Sequence, residues 1–294
     1  MWSLKTGTWR LLTTPCMLNS LGMCWVKVII LAVTFGYGGK LRGINTGCCS
    51  YIERWQQYIM TENFDFNNED YNFWSIYESI KNYYPLGIDN NYPGIFFDYW
   101  GIKKLEELVV AKVHNNENYR LEWKDYCDEL SKEINLPIIG TTYGQAPSFS
   151  GYIELKKEKG TTCDYSEELH FAVSFIGPFY SIIGQSTTVV NQLDGENQAF
   201  YSAVNRITVS PDSETEKYFD FLSDKIVSRF KEYRFVPYNI NKQTLEGLRV
   251  RYRDEKVNRI YHALFNDIIQ FSDYGKYEPL IMGDEFYRYE EWAR

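Results

Sequence analysis

The chain is short of the residues from which metal and acid–base sites are usually built. Of its 294 residues, three are histidines (His114, His170 and His262) and six are cysteines. No Cys-x-x-Cys occurs and no Cys/His spacing fits a zinc site, so metal ligation is not expected. The glycines at 140, 144 and 151 fall into neither a Gly-x-Gly-x-x-Gly nor a Walker spacing, which argues against a phosphate cradle. No Gly-x-Ser-x-Gly elbow accompanies the serines, and no Asn-x-Ser/Thr sequon accompanies the many asparagines. Positive charge is also in deficit, with 31 Lys and Arg against 39 Asp and Glu, a net charge of −8. That balance excludes broad nucleic-acid binding, which needs cations to displace phosphate counterions. Mean hydropathy of −0.41 excludes a polytopic membrane protein. No cofactor is expected.

Aromatic residues, by contrast, are abundant: 25 Tyr, 18 Phe and 8 Trp, too many for a disordered chain. Charge is unevenly placed. Residues 1–59 hold six basic residues and one acid, Glu53, so the +5 there leaves −13 for residues 60–294. Four of the six cysteines, Cys16, Cys24, Cys48 and Cys49, also fall in this first stretch, which has no clear helical or alternating period. The expected organisation is therefore an atypical extension over 1–59 and a single domain over 60–294. Three readings of the extension stand side by side. Residues 17–39 could be an anchor, although they reach membrane-spanning length only by including Asn19, Ser20 and Lys27. The run Val28–Val33 could be a buried strand, or translation could start at Met60. The expected location is the cytoplasm, with membrane anchoring as the alternative.

Beyond Met60 the apolar periodicity is informative. Phe73, Ile76, Ile80 and Tyr83 or Tyr84 recur at helical spacing until Pro85. Ile102, Leu105, Val109 and Val113 form a second such series, and Trp123, Cys127, Leu130 and Ile134 a third. The period then changes to that of strands over 153–156, 169–176, 179–183 and 200–209, with Gly177-Pro178 between the second and third. Ser213 and Glu216 suit a capping box ahead of a helix that carries Phe219, Leu222, Ile226, Phe230 and Tyr233 on one face. Residues 248–252 and 259–265 read as a last pair of strands, and 283–292 as a short terminal helix. This order predicts an α+β fold: an antiparallel sheet with helices packed mainly on one face, and a helical N-terminal half.

Catalytic candidates are few. Cys163 and Asp164 precede His170, and an imidazolium beside a thiol would make a thiolate nucleophile. The simpler reading is a turn cysteine and a strand histidine that never meet, with Cys127 and Cys163 as small buried residues. If their strands were neighbours, His170 and His262 could face one another as metal ligands, but a third ligand is not evident. Adjacent acids such as Glu167-Glu168 and Asp284-Glu285 are usually a solvated face. No catalytic or metal residue is assigned on these grounds.

The positive signal is surface chemistry. Tyr and Trp favour interfaces, because one end is apolar and the other forms hydrogen bonds. Surrounding acids would steer a basic protein partner. The expected partner-binding face comprises Tyr92, Tyr99, Trp100, Asp284, Glu285, Tyr287 and Trp292. The competing explanation is that base composition enriches tyrosine while acidity only maintains solubility.

The segment His170-Phe-Ala-Val-Ser-Phe-Ile-Gly-Pro-Phe-Tyr-Ser-Ile-Ile-Gly184, the long helix with its acidic start, and Ile260-Tyr-His-Ala-Leu-Phe-Asn266 resemble uncharacterised bacterial proteins. Some of those sit among the immunity proteins of polymorphic toxin systems. The resemblance covers residues 150–270 and is one of texture, without a diagnostic motif. It implies an acidic α+β protein that binds and blocks a cognate toxin without catalysis, and it transfers no functional residue.

Overall fold

The computed structural model describes residues 63–66, 69–88, 92–192, 199–253, 257–271 and 279–294. The anchor, strand and start-site readings of 1–59 lie outside these residues. Among the described residues no helix is long and apolar enough to cross a membrane.

Helix α1 (Trp74–Tyr83) buries Ile76 and Ile80, one turn apart. It ends where Tyr84 turns extended, the conformation that the following Pro85 imposes. Helix α2 (Pro93–Asp98) starts on a proline, whose fixed φ suits a first helical position, and buries a single side chain, Phe96. Helix α3 (Trp100–Val109) presents Ile102, Leu105 and Val109 to the core. It crosses α1 at Gly101, where a Cβ would sit 2.5 Å from the Asn82 carbonyl oxygen, so only glycine permits the approach. Two five-residue π segments (Val110–His114 and Arg120–Lys124) flank the short α4 (Asn116–Tyr119). Helix α5 (Asp125–Ile134) buries Tyr126, Cys127 and Leu130 and stops at Asn135 in the left-handed conformation, a common helix stop.

Among the described residues seven strands follow: β1 (Ile138–Gly140), β2 (Ser148–Lys159), β3 (Cys163–Ser174), β4 (Phe179–Gln192), β5 (Ala199–Thr208), β6 (Arg234–Phe235) and β7 (Leu280–Met282). Their order is β1-β2-β3-β4-β5-β7, with β6 on the stretch of β4 that β5 leaves open. Strands β1 to β5 pair antiparallel. The β4/β6 and β5/β7 pairs are parallel, so the sheet is mixed and not antiparallel throughout. The fold is α+β, and its described helices before the sheet lie between residues 74 and 134.

Both faces of the sheet are covered, which corrects the expectation of helices mainly on one face. Leu169, Phe171 and Val173 of β3 join Phe149, Ile153, Tyr180 and Ile182 beneath α5 and helix α6 (Glu216–Arg229). Trp123 stacks on Phe149 there, with ring centroids 5.0 Å apart and planes 7° from parallel. On the other face Ala172, Ile183 and Ile207 meet α1, α3 and the short helices α7 (Tyr238–Asn241) and α8 (Ile260–Leu264). The run Leu169–Ile176 is apolar on alternate and on intervening positions, as a strand buried on both sides should be.

Two further expectations change. Residues 248–252 are irregular, and 260–264 form α8. All five residues of α8 are buried, so no polar face marks its period, and a short apolar run is ambiguous between strand and helix. Only the last turn of 283–292 is helical, a 3-10 turn over Tyr289–Trp292. The capping box at Ser213 is replaced by an Asp212 anchor. Asp212 Oδ1 accepts from Thr215 Oγ1 (2.7 Å), Thr215 N (2.8 Å) and Glu214 N (3.0 Å) just ahead of α6. Burial opposes ionisation of Asp212, but these hydrogen bonds prevail and hold its carboxyl below the usual range.

Candidate binding surface

The strand geometry separates the catalytic candidates. Cys163 and His170 are seven residues apart on β3, an odd spacing that places them on opposite faces of the sheet, roughly 20 Å apart along the strand. Cys163 is exposed, not buried as its isolation suggested, and its register partner is Val190. Cys127 is buried in the core, and burial pushes its thiol up to about 12. His170 is buried beside Tyr152, with ring centroids 5.3 Å apart. Its Nε2 lies 3.1 Å from Glu168 Oε2, although neither ring nitrogen makes an aligned hydrogen bond. Contact with His170 holds the Glu168 carboxyl below its usual range, against the opposing effect of partial burial.

His262 sits on α8 and not on a strand beside β3, which removes the premise of a facing histidine pair. Its Nδ1 accepts from Arg259 N at 3.0 Å, and its Nε2 lies 3.1 Å from Arg253 Nη1. Burial, then the Arg253 and Arg259 charges, push the imidazole well below its ordinary value and keep it neutral. His114 contacts the Gly144 carbonyl oxygen at 3.1 Å through Nε2, which therefore carries the proton. Among the described residues no group of three His, Cys, Asp or Glu could hold a metal ion.

The seven residues expected to form one partner-binding face divide into two groups. Tyr92 and Trp100 are 64% and 57% exposed at the two ends of α2. Tyr99 is half-buried between them, its hydroxyl donating to the Lys81 carbonyl oxygen at 3.1 Å. Asp284 is exposed, while Glu285 is half-buried and paired with Lys242. Tyr287 packs edge-on against Phe219 and Phe235, and burial raises its phenol above the usual value. Trp292 is a core residue: 1% exposed, against Phe73 and Phe179, with Nε1 donating to the Phe235 carbonyl oxygen at 2.9 Å. It must therefore be removed from the binding face.

What remains is a ridge on α2 and the start of α3. Ile95 (61% exposed) and Phe97 (38%) join Tyr92 and Trp100, so four large apolar side chains face solvent within nine residues. Sequence reasoning missed Ile95 and Phe97. The signal was present in Pro93-Gly-Ile-Phe-Phe-Asp98: three adjacent apolar residues on one helical turn point in three directions, and only Phe96 can be buried. Four such side chains in one short stretch make it a candidate contact surface.

No family model matches the chain, and comparison with curated proteins and with solved structures finds no match to either.

Proposed function

We propose that this chain works as a non-enzymatic binding protein that docks a basic protein partner through the α2–α3 ridge, in the manner of an immunity protein that occludes a toxin. The exposure of Tyr92, Ile95, Phe97 and Trp100 together carries the reading. Tyr and Trp dominate binding hot spots because they desolvate well and lose little conformational entropy. The −13 charge of residues 60–294 supplies a field that would speed the approach of a cation and repel an acidic competitor. The separation of Cys163 from His170 removes the leading enzymatic alternative.

The test is an affinity pull-down from the source cell with the wild type and with Tyr92→Ala/Trp100→Ala. The expected result is a basic protein retained by the wild type, lost with the double variant and released by salt. Co-expression with that protein then examines the blocking role: the partner should be harmful alone and silent beside the wild-type chain. Identical retention by both chains would overturn the proposal.

A further inference from the structure

We propose that His262 makes the packing of α8 acid-sensitive: the helix is locked while the imidazole is neutral and released when the ring takes a second proton. A neutral imidazole has one nitrogen that can accept a hydrogen bond, and an imidazolium has none. His262 uses its one acceptor, Nδ1, on the main-chain N–H of Arg259 at 3.0 Å. Arg259 stands just ahead of α8 and His262 is the third residue of that helix. The bond is therefore the reciprocal half of a capping box, with imidazole in the place that glutamate or glutamine usually fills. A second donor, Arg253 Nη1, already lies 3.1 Å from Nε2. A proton on Nδ1 would remove the cap and take this acceptor from the Arg259 N–H. It would also add a positive charge beside Arg253 and Arg259, on a residue that is only 1% exposed.

The groups that face the ring do not offset this cost. The 248–253 segment brings Arg253 and Tyr252, whose hydroxyl donates to the His262 carbonyl oxygen. Helix α8 brings Arg259 and Tyr261, and Phe271 lies edge-on to the imidazole with centroids 5.9 Å apart. None of these is an acid. Asp267 acts on Tyr252 and Tyr261, and it accepts from the Tyr143 hydroxyl at 2.6 Å. The lock reaches beyond α8 itself. The Ala263 carbonyl accepts from Tyr84, at the end of α1, at 3.0 Å, and the Phe265 carbonyl accepts from Ser148 of β2 at 2.8 Å. Loss of the cap thus loosens α8 from both neighbours. The sign follows from the lowered proton affinity of the folded ring, set by burial and then by Arg253 and Arg259. The stabilisation is present above the unfolded value of about 6.5. It is lost as pH falls from there through the lower folded value, because the unfolded chain then holds the extra proton.

The experiment is urea unfolding of the full-length chain at about pH 7 and about pH 5, on either side of the unfolded value, with the wild type and His262→Asn. Asparagine carries an acceptor oxygen at the position of Nδ1, so it keeps the cap and cannot take a proton. The expected result is a folded-to-unfolded ratio that falls roughly 20-fold more for the wild type than for the variant between the two pH values. Should the variant fail to fold, proton NMR of the wild type decides. The chain has three histidines, so spectra of His114→Gln and His170→Gln assign the His262 ring by elimination. That ring should keep its neutral resonance down to about pH 5 as long as the chain is folded. An equal pH dependence of the two chains, or a His262 ring that titrates near its ordinary value of about 6.5 in the folded protein, would overturn the proposal.

Discussion

The ridge at 92–100 and the C-terminal segment at 283–292 are alike in composition: each mixes tyrosine, phenylalanine and tryptophan with acid. Their fates are opposite. The ridge hangs from the core by Phe96 and the half-buried Tyr99 and leaves Tyr92, Ile95, Phe97 and Trp100 largely in water. The C-terminal segment is a clasp. Trp292 enters the core, and Arg288 reaches back to Tyr180 Oη (2.6 Å) and Ser223 Oγ (2.8 Å). Main-chain bonds join Asn72 N to the Trp292 carbonyl and Arg294 N to the Asp70 carbonyl. Composition alone therefore does not distinguish an exposed surface from a closure. The distinction comes from whether another part of the chain offers an apolar slot and a hydrogen-bond acceptor. Phe73, Phe179 and the Phe235 carbonyl do so for Trp292.

The contrast can be tested by breaking each side of it. Trp292→Ala should have the largest effect, lowering stability by about 3–5 kcal/mol in urea denaturation, because it opens a cavity and leaves the Phe235 carbonyl unpaired. A loss below about 1 kcal/mol would mean that the clasp contributes little. Arg288→Ala should follow at roughly 1.5–3 kcal/mol, the range for hydrogen bonds to a charged group. Gly101→Val should cost about 1–3 kcal/mol by forcing α3 off α1, which would show that the mounting of the ridge is structural even though its outer surface is not. Trp100→Ala should change stability by no more than about 0.5 kcal/mol, since its ring is mostly in water. A larger loss would place Trp100 with Trp292 and remove the basis for a binding ridge.

A pH titration sharpens the picture at α6. The Asp212 carboxyl is depressed in the folded state, so its contribution is present above the unfolded value of about 3.9. It is lost as pH falls through the lower folded value. Asp212→Asn should therefore flatten the acid limb of the stability curve while leaving the neutral-pH limb parallel to that of the wild type.

Much of the fold could be read from the residues. The spacing of Ile76 and Ile80, of Ile102, Leu105 and Val109, and of Phe219, Leu222 and Ile226 marked three helices and the side chains they bury. The two apolar runs on either side of Gly177-Pro178 marked β3 and β4. What escaped was set by distant partners. Strands β6 and β7 are only two and three residues long, too short to show a period, and exist because an edge of β4 or β5 was open. Helix α8 is buried on every side and shows no amphipathic signature. For the candidate site, sequence reasoning placed Tyr92 and Trp100 at the surface, where they lie, but not Trp292 in the core, because burial of an indole near residue 292 depends on residues 73, 179 and 235.

The contact between Phe73 and Trp292 spans roughly 220 residues of intervening chain, a separation that delays its formation in any folding route. Until Trp292 docks, the slot lined by Phe73 and Phe179 stands open, and a chain caught in that condition is a sticky intermediate of the kind chaperones and proteases engage.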